Sequence, residues 1–463
     1  MEHLIAFVSE HMNDDTSKLL LARSKWPEID MDIAVNCIES RRKLKGKVKE
    51  WHENPALVFP AKLSAEQCSS SATAFYKAEV ASHIAEGIAS WKIADLTGGL
   101  GVDSWFFSKK ASRVLYNEMQ TRLCEAAGHN FKVLAADNIE ISNNAVGNGA
   151  DEKSPSALLS SFAPDIVFMD PARRGEGGKK VFLIEECTPD VLTLKDELFS
   201  VSRHILIKLS PMADISMVCT RLGSSCREVH VVATGGECKE LLIWMDKEWN
   251  AEYSVHAVEL PGDYPSAAPA VFTFLPSEEH SAIPTASIPA ATGYLFEPGK
   301  ALMKAGAFNL ISERINLAKL GKSTHYYTTE DSGKIDTLKR LGKVFEIMSC
   351  EPLDKRTIKS AGSRYPKAEV TARNIPMDTE ALRKKLGITS GKRVILDVNV
   401  VLVQCHCVEK GMMSLEAIGF KGCCVNGFDD SKGAVRTLGN VGLNIIELVS
   451  DIPYAATCYE AEQ

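Results

Sequence analysis

The stretch Ile93-Ala-Asp-Leu-Thr-Gly-Gly-Leu-Gly-Val-Asp103 decides how this chain folds. Its apolar start, ending on Asp95, predicts a short strand, and a helical pattern follows the glycines. Gly98, Gly99 and Gly101 let backbone amides approach a ligand closely, because no Cβ stands in the way. The helix start adds unpaired N–H groups and the positive end of a dipole. The stretch therefore predicts the nucleotide-binding corner of a doubly wound α/β sheet.

The order of the acid and the glycines indicates which cofactor this corner takes. A dinucleotide fingerprint would be G-x-G-x-x-G, and here the third position falls on Ser104. An acid ahead of the glycines resembles motif I of the class I S-adenosylmethionine (SAM) methyltransferases. The resemblance implies that SAM binds at five residues of the stretch, namely Asp95, Thr97, Gly98, Gly99 and Gly101. An NAD-binding Rossmann domain is the main alternative.

Four later segments are predicted to be strands, and polar residues follow each of them: Arg113–Glu118, Phe131–Asp137, Asp165–Asp170 and Arg203–Lys208. Glu118 is placed to accept both ribose hydroxyls, and Asp137 with Asn138 is placed for the adenine edge. Strands of parallel sheets also end in Asp or Asn simply because turns follow them. The prediction therefore rests on the ordered set of acids and not on any single one.

The fourth predicted strand ends in Asp170-Pro171-Ala-Arg-Arg174. Amino-methylating members of the SAM superfamily carry Asp/Asn-Pro-Pro-aromatic here, so the resemblance implies that Asp170 and Pro171 hold a target amine. Ala172 and Arg173 depart from that pattern, which removes the aromatic side chain that stacks on the base. An Arg plane stacks on a base or forks onto phosphate, which suggests a nucleic-acid substrate. A surface position or an ion pair is the alternative for Arg174.

Longer stretches resemble one specific family, the class I methyltransferases with a THUMP-like C-terminal domain. The matching stretches are Ser64–Lys77, Asp95–Asp103, Met169–Arg174, Ile207–Met212, Glu237–Leu241, Tyr294–Pro298 and Val370–Asn374. The resemblance implies a Rossmann-like SAM methyltransferase sheet, a small ferredoxin-like segment and a THUMP-like module. THUMP modules are associated with RNA, especially transfer RNA.

Residues 1–90 are predicted to be helical, with a helix N-cap signal at Ser69-Ser-Ser-Ala-Thr73. In the resembling family the helix after this cap closes over the methionine end of SAM, so Lys77 is expected to meet its carboxylate. The run Arg41–Lys49 holds six basic residues in nine. It is interpreted either as a solvated helix face or as a phosphate contact.

The remaining chain divides into four predicted parts. Residues 91–250 form the methyltransferase domain, closed by a hairpin whose Glu237 and Glu240 are interpreted as structural. Residues 251–330 form a linker plus a ferredoxin-like segment, and residues 331–395 a THUMP-like basic module. Between Leu353 and Arg393 eleven Lys/Arg face four Asp/Glu, which fits an RNA-binding module or an ordinary basic surface. Residues 396–463 form a divergent, cysteine-rich tail.

Composition limits the protein class. A chain of 463 residues has room for about three domains. It is 45% hydrophobic and 24% charged, as in ordinary soluble proteins. The N-terminus lacks a signal-peptide pattern and no window is apolar enough for a membrane span. Thirteen scattered cysteines predict a reducing, cytoplasmic setting. The spacing Cys405-His-Cys407 with Cys423-Cys424 fits no usual zinc pattern, so no metal is expected.

The sequence thus predicts an RNA methyltransferase that uses SAM and acts on a base amine. A non-catalytic RNA-binding protein that retains the sheet is the alternative from another class, and the altered Asp-Pro-Ala-Arg element motivates it. An NAD-linked enzyme, and methylation of a protein or small molecule, also stay open. The net charge of −7 argues against a uniformly basic nucleic-acid binder.

Overall fold

A computed structural model describes residues 2–173, 184–286, 293–321, 324–352, 354–373, 377–390, 394–405 and 438–449. The chain divides into two compact units. One comprises Met1–His280 with Gly299–Ala307, and the other comprises Ser281–Pro298 with Phe308–Gln463. No helix in these ranges is both long and apolar enough to cross a membrane.

The first unit begins with the helices α1 (Glu2–Glu10), α2 (Thr16–Leu21), α3 (Met31–Leu44), α4 (Lys49–Glu53), α5 (Lys62–Gln67) and α6 (Ser71–Ile84). Ser70 caps α6 with a reciprocal pair of hydrogen bonds to Thr73, as the sequence predicts. In the basic run, Arg42, Lys43, Lys45 and Lys49 are exposed and Lys47 is half-buried, whereas Arg41 is used inside the protein. Arg41 is buried and donates to five main-chain carbonyls between residues 51 and 57, including those of Asn54 and Leu57 at 2.6 Å each.

Strands and helices then alternate through the rest of the first unit. The strands are β1 (Lys92–Asp95), β2 (Arg113–Asn117), β3 (Ile139–Ser142), β4 (Ile166–Met169), β5 (Ala172–Arg173), β6 (Cys187–Thr188), β7 (His204–Leu209), β8 (Cys226–Thr234), β9 (Glu237–Asp246), β10 (Ser254–Leu260) and β11 (Ala270–Phe274). The helices between and after them are α7 (Val102–Ser108), α8 (Thr121–Val133), α9 (Pro155–Leu159), α10 (Val191–Val201), α11 (Ile215–Leu222) and α12 (Pro276–Ser281), with α13 (Lys300–Ala305) returning to the unit.

Nine of these strands form one sheet in the order β11-β10-β8-β9-β7-β4-β1-β2-β3. The strands from β3 to β7 are parallel, while β9 lies antiparallel between β7 and β8. The predicted doubly wound α/β fold is confirmed. An NAD-type sheet orders six strands as 3-2-1-4-5-6, and the antiparallel β9 inserted after the fifth strand departs from that order. The sheet also continues past the predicted boundary at residue 250, through β10 and β11.

The central strands are short apolar runs because they are covered on both faces. All four residues of β4 are buried, and so are Ile93, Ala94 and Asp95 of β1. Phe107 on α7 packs edge-on against Phe168 of β4 at a centroid distance of 5.1 Å. The order of the strands reverses between β1 and β4, so the loops after these two strands diverge and leave a crevice at the carboxyl edge.

The predicted third strand, Phe131–Asp137, is wrong. Residues 131–133 end helix α8, whose face buries Leu123, Ala127 and Phe131 at helical spacing, and residues 134–138 form the turn after it. The strand itself is Ile139–Ser142. The run Phe131-Lys-Val-Leu-Ala-Ala is apolar enough for either element, and tertiary packing of Phe131 against Tyr116 decides for the helix.

The second unit is a separate mixed α/β assembly. Its strands are β12 (Thr285–Ala286), β13 (Tyr294–Pro298), β14 (Ala318–Gly321), β15 (Thr324–Thr329), β16 (Gly342–Pro352), β17 (Glu369–Arg373), β18 (Val394–Cys405) and β19 (Leu438–Val449). They form one sheet in the order β12-β14-β15-β13-β16-β19-β18-β17. Its helices are α14 (Leu310–Ile315), α15 (Ile335–Leu341), α16 (Lys355–Arg364) and α17 (Thr379–Leu386). Cys407, Cys423 and Cys424 of the predicted tail lie outside the described residues.

Candidate functional site

The glycine turn after β1 is fixed from below by Asp95. This side chain is only 1% exposed and accepts hydrogen bonds from Ser104 Oγ at 2.6 Å and from the Thr97 amide at 3.1 Å. Asp95 therefore ties the start of the turn to helix α7. Its burial indicates a positioning role beneath the turn, whereas the sequence predicts a direct cofactor contact.

The glycines are required by close packing as well as by backbone geometry. A Cβ on Gly98 would lie 2.2 Å from Cε2 of Tyr116, and one on Gly101 would lie 2.8 Å from Cζ of Phe131. Gly101 begins α7 with a φ of 92°, a conformation that L side chains rarely adopt. The Gly98 amide donates to the carbonyl of Asn117 at 2.8 Å, which draws the turn against β2.

Glu118 follows β2 at the same edge and meets the turn directly. Its Oε2 accepts from the Gly99 amide at 2.9 Å, and its Oε1 accepts from the Gln120 amide at 2.8 Å. The Tyr116 hydroxyl donates to the Gly99 carbonyl at 2.7 Å. A carboxylate has about four lone-pair positions, so Glu118 retains capacity for further donors such as a pair of sugar hydroxyls.

The Asp-Pro element lies beside the glycine turn. The Asp170 amide donates to Thr97 Oγ1 at 2.6 Å, and Lys208 at the end of β7 donates to Asp170 Oδ2 at 2.5 Å. Pro171 is buried. The Asp170 side chain is 36% exposed, so it reaches the surface of the crevice while Lys208 holds it from behind. The backbone of Arg173 pairs with Cys187, and its side chain lies outside the described residues.

The sequence predicts that Lys77 meets the carboxylate of SAM, but in the structure its side chain does not extend freely toward a ligand. It is fully buried, and its ammonium donates to both oxygens of Glu240 at 2.8 and 2.9 Å and to Ser69 Oγ at 3.0 Å. Asp103 Oδ1 lies 3.3 Å away. The interpretation of Glu240 as a structural residue fits this contact, and the separation of 163 residues explains why the pair escapes sequence analysis.

A charge network therefore underlies the site. It joins the largely buried side chains of Lys77, Asp103, Lys208 and Glu240 to the partly exposed Asp170. Burial lowers the pKa of Lys208, but Asp170, Glu240 and Asp103 outweigh it and raise that pKa above its usual value. Burial raises the pKa of Glu240, while both lysines act in the opposite direction. Lys208 thus stays charged where an isolated ammonium would be costly.

Asp137 and Asn138 are not part of this site. Both precede β3, and Asn138 Nδ2 donates to the carbonyls of Ser108 and Ala111, at the amino-terminal edge of the sheet. At the carboxyl end of β3 stand Asn143 and Asn144, which sequence reasoning missed. The signal for them was the alternating run Ile139-Glu-Ile-Ser142, obscured by the longer apolar run before it.

The asparagines connect the ends of three strands. Asn143 Nδ2 donates to the Glu118 carbonyl at 2.6 Å. Asn117 Nδ2 donates to the carbonyls of Leu96 and Asn144, and the Asn144 amide donates back to Asn117 Oδ1. Loops after β1, β2 and β3 are thereby held at one edge before any ligand arrives.

Asp95→Asn should remove a pH dependence of stability. Desolvation raises the pKa of Asp95 from 3.8 to about 7 in the folded protein. The stabilising contribution of protonated Asp95 to the free energy of unfolding is fully present below about pH 4. Ionisation removes this contribution as the pH rises to about 7. We expect wild type to lose on the order of 2–4 kcal/mol relative to Asp95→Asn across that range. Urea unfolding at several pH values measures it, and a constant difference would contradict the assignment.

Lys77→Met should destabilise the first unit by about 3–5 kcal/mol, because Glu240 is left buried without its direct cation. A double-mutant cycle with Glu240→Leu should show that the two changes are strongly coupled. Lys239→Met in the same hairpin removes an exposed partner of Glu237 and should cost under about 0.5 kcal/mol. All six tryptophans belong to the first unit, so their fluorescence follows its unfolding. Additive effects would contradict the buried pair.

The comparisons with known proteins agree with this architecture. Residues 294–334 match a family model described as a ferredoxin-like domain, and residues 342–401 match one described as THUMP domain-like. The crystal structure of a protein from Porphyromonas gingivalis W83, described as a "putative methyltransferase", is 27% identical over 97% of both chains, with a TM-score of 0.75. No curated protein matches the chain.

Two RNA-modifying enzymes resemble a part of the chain more distantly. An rRNA methylase from Streptococcus thermophilus is 11% identical over 37% of this chain and 94% of its own, with a TM-score of 0.27. The T. Thermophilus 16S rRNA N2 G1207 methyltransferase, solved with AdoMet and guanosine, is 13% identical over 41% of this chain and 46% of its own, at 0.29. Likenesses this weak support no conclusion about function. The chain, by contrast with these partial matches, combines a class I methyltransferase fold with C-terminal ferredoxin-like and THUMP-like domains, the organisation of the family that its motifs resemble.

Proposed function

We propose that this protein is a SAM-dependent methyltransferase that modifies a base amine in RNA. The observation that carries the proposal is the position of Asp170. Its carboxylate reaches the crevice, its amide is tied to Thr97 of the glycine turn, and Lys208 binds one of its oxygens. A hydrogen-bond acceptor therefore stands next to a nucleotide-binding corner, at the point where the strand order reverses.

The residues of the corner fit SAM. Glu118 offers a carboxylate to the ribose hydroxyls, and the amides around Gly99 and the start of α7 line the turn. Thr97 and Gly98 shape the same turn, while Asp95 holds it from below. Bound SAM would supply an electrophilic methyl group, and the Porphyromonas gingivalis structure at 27% identity is described as a "putative methyltransferase". Lys77 enters this proposal only as the buried partner of Glu240.

Asp170 performs two tasks for an amine acceptor. Its carboxylate accepts a hydrogen bond from the amine N–H, which orients the nitrogen lone pair toward the methyl donor. The same acceptor stabilises the nitrogen as it becomes positively charged during transfer. Lys208 fixes the orientation of the carboxylate through Oδ2, and buried Pro171 fixes the backbone that follows.

RNA is the favoured substrate because of the second unit. The THUMP-like match spans residues 342–401, and eight basic side chains in its described part are exposed: Lys343, Lys355, Arg356, Lys359, Arg364, Lys367, Lys384 and Lys385. Four of them lie on α16 and two on α17, in a chain whose net charge is −7. A local basic surface on an acidic protein is what phosphate contacts require.

A non-catalytic RNA-binding protein is the second candidate. Ala172 and Arg173 stand where amino-methylating relatives of the fold carry proline and an aromatic residue, and Ala172 begins the small β5–β6 pair. This candidate predicts RNA binding without methyl transfer. The two experiments below separate it from the enzyme, because one measures cofactor binding and the other measures transfer.

Glu118→Ala should weaken SAM binding at least about 10-fold, because the ribose hydroxyls lose a charged acceptor. Asp137→Ala removes the same charge at the other edge of the sheet and should leave affinity unchanged. Calorimetric titration with SAM, and separately with NAD, measures both variants. Absence of SAM binding by folded wild-type protein, or equal loss in both variants, would contradict the proposed cofactor site.

Asp170→Asn should lower methyl transfer to RNA by about 100-fold or more while SAM still binds, because the amine loses its charged acceptor in the transition state. Asp196→Asn on the exposed side of α10 serves as the matched control. Incorporation of labelled methyl groups from SAM into bulk tRNA and rRNA is the measurement. RNA that binds without receiving methyl groups from wild type would favour the non-catalytic candidate.

A further inference from the structure

A histidine and carboxylate cluster lies on the sheet away from the glycine turn. Glu228 and His230 are two residues apart on β8 and so point to the same face. His256 on β10 stands directly opposite His230 in the parallel register. Glu228 is the third residue of β8, near its amino end, whereas the glycine turn lies at the carboxyl edge. The proposed methyl transfer uses none of the three side chains.

The ring nitrogens converge on one carboxylate oxygen. Glu228 Oε2 lies 3.2 Å from His230 Nε2 and 3.4 Å from His256 Nε2. One ligand atom from each residue lies within 4.8 Å of the others. Bonds of about 2.0–2.1 Å in a tetrahedral zinc site separate neighbouring ligand atoms by about 3.3–3.4 Å. The two distances from Glu228 Oε2 to the histidine Nε2 atoms therefore match the spacing of neighbouring ligand atoms in a tetrahedral zinc site.

Each ring is held through its other nitrogen, as metal-binding histidines are. The Tyr76 hydroxyl lies 2.8 Å from His230 Nδ1, and Thr273 Oγ1 lies 3.0 Å from His256 Nδ1. These contacts leave both Nε2 atoms directed at the same point.

The surroundings suit a cation with one further ligand. The side chains of Glu228, His230 and His256 are 13%, 7% and 19% exposed, so the cluster is shielded but reachable. Ser254 Oγ lies 3.0 Å from His256 Nε2 and marks a fourth polar position.

We propose that Glu228, His230 and His256 bind a divalent transition metal of the zinc class, with Ser254 or water as the fourth ligand. Two imidazoles and one carboxylate are a donor set that such ions favour. The ion would fasten β8 to β10 beneath Tyr76 of α6, which makes it a stabilising site in the first unit. Two histidines sharing one acceptor without any metal is the competing interpretation.

Cobalt(II) titration of the full-length, tag-free protein tests the proposal. We expect one tightly bound Co²⁺ per chain, visible as d–d absorption typical of nitrogen and oxygen ligands, and displaced by an equivalent of Zn²⁺. Zinc should also raise the Tm of the first unit, followed by tryptophan fluorescence. Folded wild-type protein that binds neither Co²⁺ nor Zn²⁺ at this stoichiometry would overturn the site.

Variants identify the ligands. His256→Gln and Glu228→Gln should each lower Co²⁺ affinity at least about 100-fold while the chain stays folded. His83→Gln is the matched control, because His83 lies near enough to influence Glu228 and His256 electrostatically but is 60% exposed and pairs with Glu86. Its affinity should stay within about twofold of wild type. Unchanged binding in His256→Gln would overturn the proposal.

Spectroscopy distinguishes the proposed histidine and glutamate site from a metal site with cysteine ligands elsewhere in the chain. A thiolate-to-cobalt charge-transfer band, abolished in Cys405→Ser/Cys407→Ser and unaffected by His256→Gln, would assign the metal to cysteines and overturn the proposal. Retention of the d–d bands in that cysteine double variant is the expected result.

Discussion

The buried ion pair between Lys77 and Glu240 is the interaction on which the site depends. It joins helix α6 to the β9 strand of the closing hairpin, and Asp103 brings the start of α7 into the same contact. Lys208 and Asp170 continue the network to the ends of β7 and β4. A buried pair of this kind contributes little net stability, but it makes any arrangement that separates its members costly. The crevice walls are therefore fixed relative to one another.

The glycine turn is held by a second set of contacts, which begins at Asp95 at the end of β1. Asp95 binds Ser104 and the Thr97 amide below the turn, and Thr97 then binds the Asp170 amide above it. The proposed cofactor corner and the proposed amine site are thus connected by one threonine side chain. Such preorganisation suits methyl transfer, because the enzyme must mainly align two reactants.

Helix α6 links the two regions that carry proposals. Tyr76 contacts His230 of the proposed metal site, while its neighbour Lys77 enters the charge network under the crevice. A metal that fixes β8 and β10 would therefore also steady the helix that carries Lys77. A metal site at the amino half of β8 would therefore also stabilise the wall of the crevice, through helix α6.

The sequence by itself determined the alternation of strands and helices and the glycine turn, because these follow from local periodicity and backbone requirements. The Asp170-Pro171 element and the C-terminal modules were implied by the motifs that the chain shares with the family it resembles. Tertiary structure alone decided three matters. It made Phe131 end a helix by packing it on Tyr116, which moved Asp137 and Asn138 to the wrong edge of the sheet for a cofactor contact. It paired Lys77 with Glu240, 163 residues away, and it brought Glu228 and His230 opposite His256. Contacts between distant residues depend on strand order and register, which no local pattern encodes.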